Sequence, residues 1–179
     1  MNRKIALRTA VGASAMALAI FSTAYVAEAT TDEPAKAKEA APLAKMSHSA
    51  AAKKLGDAGI GITSSGGCSD RNNSSCTSLD QVNSATIDGA ITLKGASKCD
   101  LTVTGGTETG HASGTYSHWN GYKLDFHMTG CLSSYVKNTF TSIGGNKWKS
   151  GSGNIYFDEG NHWDVTFHNC GGCLSGGKG

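Results

Sequence analysis

Apolar residues are spaced along this chain in two patterns, and each pattern predicts one kind of element. Helical spacing predicts a short helix over residues 49–56 and a longer one over residues 133–143. A further helix is predicted to begin at Thr77, because an acidic residue in its first turn is followed by apolar residues at helical spacing.

Alternation of apolar and polar residues predicts strands in the second half of the chain. Residues 100–104 and 122–128 alternate in this way, and residues 154–157 and 162–167 are predicted to pair as a hairpin. Helices early in the chain, followed by strands with one helix between them, indicate an α+β domain. We expect a small antiparallel sheet flanked by helices.

The first 29 residues have the pattern of a secretory signal. Three basic residues precede an apolar stretch at residues 10–26, and Ala27-Glu28-Ala29 supplies the small-x-small cleavage pattern. A membrane anchor is the alternative, but the apolar run is shorter than the roughly 20 residues that a span requires. We therefore expect cleavage near Ala29 and a secreted protein, extracellular or associated with the cell wall.

Composition divides the rest of the chain. Residues 30–45 contain both prolines and almost no large apolar side chain, which predicts a disordered linker. Residues 46–170 are long enough for a single domain with its own core, and residues 171–179 are predicted to be a flexible Gly-rich tail.

Charge limits the classes of partner. Removal of residues 1–29 takes away three basic residues and one acidic residue, which leaves 13 of each. A chain without net charge is not typical of proteins that bind nucleic acid or an anionic membrane. We therefore expect no nucleic-acid partner and no membrane partner after signal cleavage. We also expect a monomer.

All six cysteines lie in the part that is predicted to be exported. An even number in an exported chain predicts disulfides, for which six cysteines allow 15 pairings. Cys68 and Cys76 suggest a local loop closure, whereas the C-x-x-C at Cys170 has no second such pair and does not favour a zinc ribbon. The disulfide candidates are Cys68, Cys76, Cys99, Cys131, Cys170 and Cys173.

Two short segments combine histidine with carboxylate residues. In SHWNGYKLD, His118 precedes Asp125 in an H-x6-D pattern, and in DEGNHWD, Glu159 precedes His162 in an E-x-x-H pattern. Imidazole and carboxylate groups suit zinc, and three protein ligands leave a fourth position for water. The alternative is that Asp125 faces water and that both histidines are ordinary surface residues. The spacing alone leaves both interpretations open.

A family resemblance favours the metal. The first segment resembles the S-x-H-x-x-G-x-A-x-D motif of the zinc D-alanyl-D-alanine carboxypeptidases and dipeptidases, in the lysostaphin/hedgehog-like metallopeptidase group. Gly121 stands at the glycine position of that motif, and the E-x-x-H segment is similar to the second motif of the family. The resemblance covers roughly residues 101–167.

The resemblance implies a site and a fold. One zinc ion per chain would be held by His118, Asp125 and His162, and Glu159 would be the base that activates the water. The implied fold is the hedgehog-like α+β fold, in which the small antiparallel sheet carries the zinc site.

The chain departs from the family pattern at three places. Lys123 stands where the family has alanine, and Ser117 lies one residue rather than two before His118. Many members also have an arginine that holds the substrate or the developing oxyanion, but the corresponding segment VTGGTETGH contains none.

Other residues are candidates for the role of that arginine. His111 lies in a Gly-rich loop and is predicted to polarise the scissile carbonyl or to act as an alternative ligand. Arg71, which is the one arginine after residue 29, and Tyr116 are candidates for substrate binding. Each of the three also has a plain interpretation as a loop or surface residue.

These observations predict an exported, zinc-dependent peptidase. Its expected substrates are peptidoglycan stem peptides or other small peptides. Two alternatives stay open: a zinc-containing cell-wall binding module that has lost catalytic activity, and a metal-free secreted protein that is stabilised by disulfides.

Overall fold

The computed structural model describes residues 44–171. In this part of the chain it has three helices and nine strands. The helices are α1 (His48–Asp57), α2 (Ser84–Ser97) and α3 (Gly130–Thr139). The strands are β1 (Lys45–Met46), β2 (Ile60–Ile62), β3 (Val82–Asn83), β4 (Leu101–Gly105), β5 (Lys123–His127), β6 (Thr141–Gly144), β7 (Lys147–Lys149), β8 (Ile155–Asp158) and β9 (His162–Thr166).

Seven of the strands form one mixed sheet. Their order is β2-β4-β5-β9-β8-β7-β6, with β2 parallel to β4 and every other neighbouring pair antiparallel. The short strands β1 and β3 form a separate antiparallel pair. The centre of the large sheet is therefore β5 and β9, which come from the two segments that carry the histidines and carboxylates.

The two faces of this sheet have different chemistry. On one face, apolar residues such as Leu124, Phe126, Trp163 and Val165 are fully buried in a single cluster with residues of the three helices. Each such burial contributes roughly 1.5–3 kcal/mol to folding. The helix α2 approaches this face closely, since a Cβ at Gly89 would lie 2.4 Å from the Phe167 ring. Because side chains alternate along a strand, the polar residues between these positions point to the other face, which we call the open face.

The α+β class predicted from the sequence is confirmed, but the sheet is larger than predicted. The hairpin of β8 and β9 is present, and β4 and β5 lie within one residue of the predicted strands. The strands β6 and β7 were not predicted. Their residues are exposed except for Trp148, so neither strand has the burial that produces a clear alternating pattern.

Two of the predicted helices have wrong boundaries. The second helix begins at Ser84, because Gln81 has a positive φ of 64° and turns the chain before Val82 pairs with Met46. The third begins at Gly130, where the Thr129 hydroxyl accepts a hydrogen bond from Leu132 N, and it ends before Phe140, whose backbone is extended.

The predicted signal peptide and most of the predicted linker and tail lie outside the described residues. Within residues 44–171, none of the helices is both long enough and apolar enough to cross a membrane.

Disulfides join parts of the described domain as predicted. Cys68 bonds to Cys76, and Cys99 bonds to Cys131, which links the end of α2 to the start of α3. Cys170 is also disulfide-bonded, and Cys173 lies outside the described residues. Every cysteine in residues 44–171 is therefore oxidised.

The two loops closed by these disulfides differ in length, which predicts different contributions to stability. Cys99 and Cys131 are 32 residues apart, whereas Cys68 and Cys76 are 8 residues apart. Loop-closure entropy gives about 3.7 kcal/mol for the longer loop and about 2.5 kcal/mol for the shorter one. Urea unfolding of the two Cys→Ala double variants should show this order. A larger loss for Cys68→Ala/Cys76→Ala would contradict it.

Candidate metal centre

Four predicted site residues meet on the open face. Asp125 lies in the middle of β5 and pairs with Asp164 on β9, and His162 lies two residues before Asp164 on the same face. Glu159 lies in the turn before β9, and His118 lies in the loop before β5. The antiparallel register therefore brings together segments that lie about 40 residues apart in the chain.

A tight turn holds His118 beside β5. Gly121 N donates to His118 O at 2.8 Å, and Tyr122 N donates to Ser117 O at 3.1 Å. Gly121 has a φ of 77°, and a Cβ there would lie 2.6 Å from Gln81 O. The turn therefore needs glycine both for its backbone conformation and for its close approach to the neighbouring chain.

Two of the distances between the predicted ligand atoms, both to Asp125, are close to those in a zinc coordination shell. Asp125 Oδ1 lies 3.3 Å from His118 Nε2 and 3.6 Å from His162 Nε2. Ligands bound at 2.0–2.1 Å in a tetrahedron are about 3.3–3.4 Å apart. Glu159 Oε2 lies 3.1 Å from His162 Nε2, so the predicted base is at the edge of the same group.

Hydrogen bonds on the outer side of each ring determine which nitrogen faces Asp125. His118 Nδ1 lies 2.6 Å from Gly106 O, and a carbonyl can only accept, so Nδ1 carries the proton. His162 Nδ1 lies 2.7 Å from Asn161 Oδ1, which has the same effect. In the neutral rings, the Nε2 lone pairs then point towards the carboxylate, as metal-ligating histidines do.

Asp125 itself lacks the partners that a buried carboxylate requires. It is 5% exposed, and its Oδ1 makes no hydrogen bond within the described residues. Burial raises its pKa, but the interaction with His118 and the positive charges that His118, His162 and His111 carry when protonated outweigh burial and leave the pKa below its usual range. When both rings are neutral, the negative oxygen faces two nitrogen lone pairs and needs a cation between them. The donor set therefore fits a divalent metal.

His111 belongs to the same cluster. Its ring stacks on that of His118 with centroids 3.8 Å apart, and its Nδ1 lies 3.8 Å from Asp125 Oδ2. The ligand atoms of His111, His118 and Asp125 all lie within 4.8 Å of one another, so these three residues also form a group that can hold a metal ion. This group contains His111 in place of His162, so His111 is a further candidate ligand beside the three that the resemblance implies.

A buried glutamate fixes the orientation of His111. Glu108 is 3% exposed, and it accepts hydrogen bonds from Ser78 N at 2.6 Å and Gly106 N at 3.0 Å. Its Oε1 lies 3.2 Å from His111 Nε2. Burial raises the pKa of Glu108, but the bonds from His111 and the backbone outweigh it and lower the pKa. The hydrogen bond to Glu108 in turn raises the pKa of His111.

Asp164 was not recognised from the sequence, although its position two residues after His162 places it on the same strand face. Its Oδ2 accepts from Lys123 Nζ at 2.7 Å and lies 3.9 Å from His118 Nε2. Lys123, which stands where the family pattern has alanine, therefore neutralises a second buried carboxylate beside the cluster.

The two predicted substrate-binding residues lie away from this cluster. The Arg71 guanidinium stacks on the Trp119 ring, 3.6 Å from its centroid, and its nitrogens donate to the carbonyls of Thr107 and Trp119. Tyr116 is 49% exposed and packs edge-on against Tyr122 and His168. Among the described residues, neither side chain lines the cavity that contains Asp125.

The ligand candidates line one cavity of about 230 Å³ on the open face. Its walls are Gly110, His111, Ala112, His118, Lys123, Asp125, Glu159, His162 and Asp164. In comparisons with known proteins, no family model, no curated protein and no solved structure matches the chain. The chemistry of this cavity therefore rests on its own geometry.

Gly105 gives a direct test of how closely Asp125 is positioned. It pairs with Asp125 across β4 and β5, and a Cβ there would lie 2.4 Å from Asp125 Oδ2. In Gly105→Ala the carboxylate, as the movable group, should shift and lower zinc affinity by about tenfold or more, the usual effect of disturbing ligand orientation.

Chelator competition would measure the zinc affinity of this variant. Gly61→Ala on the adjacent strand is the matched control, because its nearest contact would be an ordinary 3.4 Å. Unchanged zinc affinity in Gly105→Ala would show that the position of Asp125 does not matter for binding.

Proposed function

We propose that this protein is an exported, zinc-dependent peptidase that acts on peptidoglycan stem peptides or other small peptides. The observation that carries the proposal is the convergence of two imidazole nitrogens on the unpartnered oxygen of Asp125, with Glu159 beside them. The substrate class comes from the family resemblance of the two motifs, and export comes from the signal-like pattern of residues 1–29.

In this proposal, His118, Asp125 and His162 hold the zinc ion. When bound, zinc acts as a Lewis acid that lowers the pKa of a water and polarises the peptide carbonyl. Glu159 takes the proton from the attacking water and passes it to the leaving amine. Its side chain is suited to this role because it is 36% exposed, lines the cavity, and lies next to a ligand.

His111 has a different role from the three ligands. Glu108 holds its outer nitrogen, so its inner nitrogen faces the cavity near Asp125. In the protonated form favoured by Glu108, His111 stabilises the negative charge that develops on the carbonyl oxygen. It thereby replaces the arginine that the family motif has and this segment lacks.

One observation favours a second candidate function. The group of His111, His118 and Asp125 supports a role for His111 as a ligand. If His111 joined the other three ligands, zinc would have four protein ligands and no position for water, as in structural sites. The protein would then be a zinc-containing binding module without turnover.

Glu159→Gln tests the peptidase directly. Glutamine keeps the shape of the side chain but cannot accept the proton. We expect this variant to lose about 100-fold or more in turnover, the scale of general-base loss, while it keeps zinc and the melting temperature of the wild type. The measurement is hydrolysis of defined muropeptides, followed by mass spectrometry.

The matched control for this variant is Asp57→Asn, which changes an exposed carboxylate on α1 and should leave hydrolysis unaltered. Wild-type turnover in Glu159→Gln would remove this residue from the mechanism. Absence of hydrolysis in the wild type, together with bound zinc, would favour the binding module.

His111→Ala separates the two roles of His111. If His111 stabilises the oxyanion, its removal should lower turnover by about 10- to 1000-fold, with little change in zinc content. Loss of zinc would instead identify His111 as a ligand. His127→Ala, which removes an exposed imidazole from β5, is the control.

A further inference from the structure

The metal centre is continuous with a row of side chains on the open face. Across the sheet, Asp125 pairs with Asp164, Asp164 pairs with Phe157, and Phe157 pairs with Lys147. Directly opposite residues in antiparallel strands point to the same face. The row therefore runs from β5 through β9 and β8 to β7, on the face that carries the candidate ligands.

A second row on the same face lies one step along the strands. Lys123 pairs with Thr166, Thr166 pairs with Ile155, and Ile155 pairs with Lys149. Phe157 and Ile155 are half-buried, whereas Lys147 and Lys149 are exposed. This part of the sheet therefore presents two accessible apolar side chains flanked by two ammonium groups.

The lysines of β7 differ from the other cations near the site. Lys123 is paired with Asp164 and Lys137 with Asp158, but neither Lys147 nor Lys149 forms an ion pair among residues 44–171. Lys147 Nζ lies 4.7 Å from the centre of the Phe157 ring, so its ammonium leans over the residue that adjoins Asp164. Its charge thus extends towards the metal centre.

The charge balance of the open face leaves these two lysines unopposed. A divalent cation would balance Asp125 and Glu159, and Lys123 already balances Asp164. The remaining net charge on the face is therefore the positive charge of Lys147 and Lys149. Such a surface attracts anionic ligands and places them near the apolar strip.

The surface also adjoins the metal cavity, because Phe157 lies directly opposite Asp164, which lines that cavity. Strands are about 4.8 Å apart, so Lys147 lies about 14 Å across the sheet from Asp125. An extended peptide covers that span with about four residues at about 3.3 Å each.

We propose that the open face of β7 and β8 is a substrate-binding surface, on which Lys147 and Lys149 bind an acidic residue about three to four positions from the scissile bond. The half-buried Phe157 and Ile155 contact the intervening residues. The inference rests on the proposed peptidase function for the position of the scissile bond, but binding of an acidic peptide can be measured without any turnover.

The test compares peptide binding in two variants that lose the same charge. The probe is a fluorescein-labelled alanine nonapeptide with glutamate at its second and eighth positions, bound to zinc-loaded Glu159→Gln protein so that no cleavage occurs. Added to that background, Lys147→Gln/Lys149→Gln should weaken binding by about 3- to 10-fold, the range for two exposed ion pairs. The control Lys53→Gln/Lys98→Gln should leave binding unchanged.

A second peptide, with glutamine in place of both glutamates, distinguishes recognition of charge from nonspecific binding. It should bind the Lys147→Gln/Lys149→Gln protein and its parent equally, and added salt should remove the advantage of the acidic peptide. Equal binding of the acidic peptide to both double variants would overturn the proposal, as would binding of neither peptide. A binding difference without wild-type hydrolysis would support this surface and reject the peptidase.

Discussion

The buried carboxylate of Asp125 is the constraint on which the account of this molecule depends. It lies on the open face of β5, is 5% exposed, and its Oδ1 has no hydrogen-bond donor in the described domain. Two imidazoles turn their inner nitrogens towards it because their outer nitrogens are already engaged. Leaving such a group uncompensated is costly, and a shared metal ion would satisfy all three residues at once.

Several features of the fold around Asp125 keep the neighbouring side chains in place. Gly105 leaves room for the carboxylate, and Gly121 allows the turn that brings His118 to the strand. Glu108 is held by backbone N–H groups and in turn holds His111. The apolar face of the sheet, packed against the helices, provides the rigid platform for this arrangement. Stability and site geometry therefore come from opposite faces of the same strands.

The sequence predicted those features that leave a local pattern. Alternation along β5 and β9 predicted both strands, and two short motifs predicted which residues meet. Asp164 was not identified because its role depends on the strand register. Glu108 was not identified because its role depends on backbone groups that are distant in the chain. The hairpin of β6 and β7 was not predicted because almost all of its side chains are exposed. The start of α2 was predicted too early because nothing in the sequence indicates the positive φ of Gln81.

Anomalous X-ray diffraction at the zinc edge, on crystals of the purified protein grown with zinc, tests the central claim most directly. The account predicts one strong peak per chain, at about 2.0–2.1 Å from His118 Nε2, Asp125 Oδ1 and His162 Nε2. The same data would show whether His111 Nδ1 is also bound. An absence of any peak beside Asp125 in zinc-saturated crystals would contradict the account.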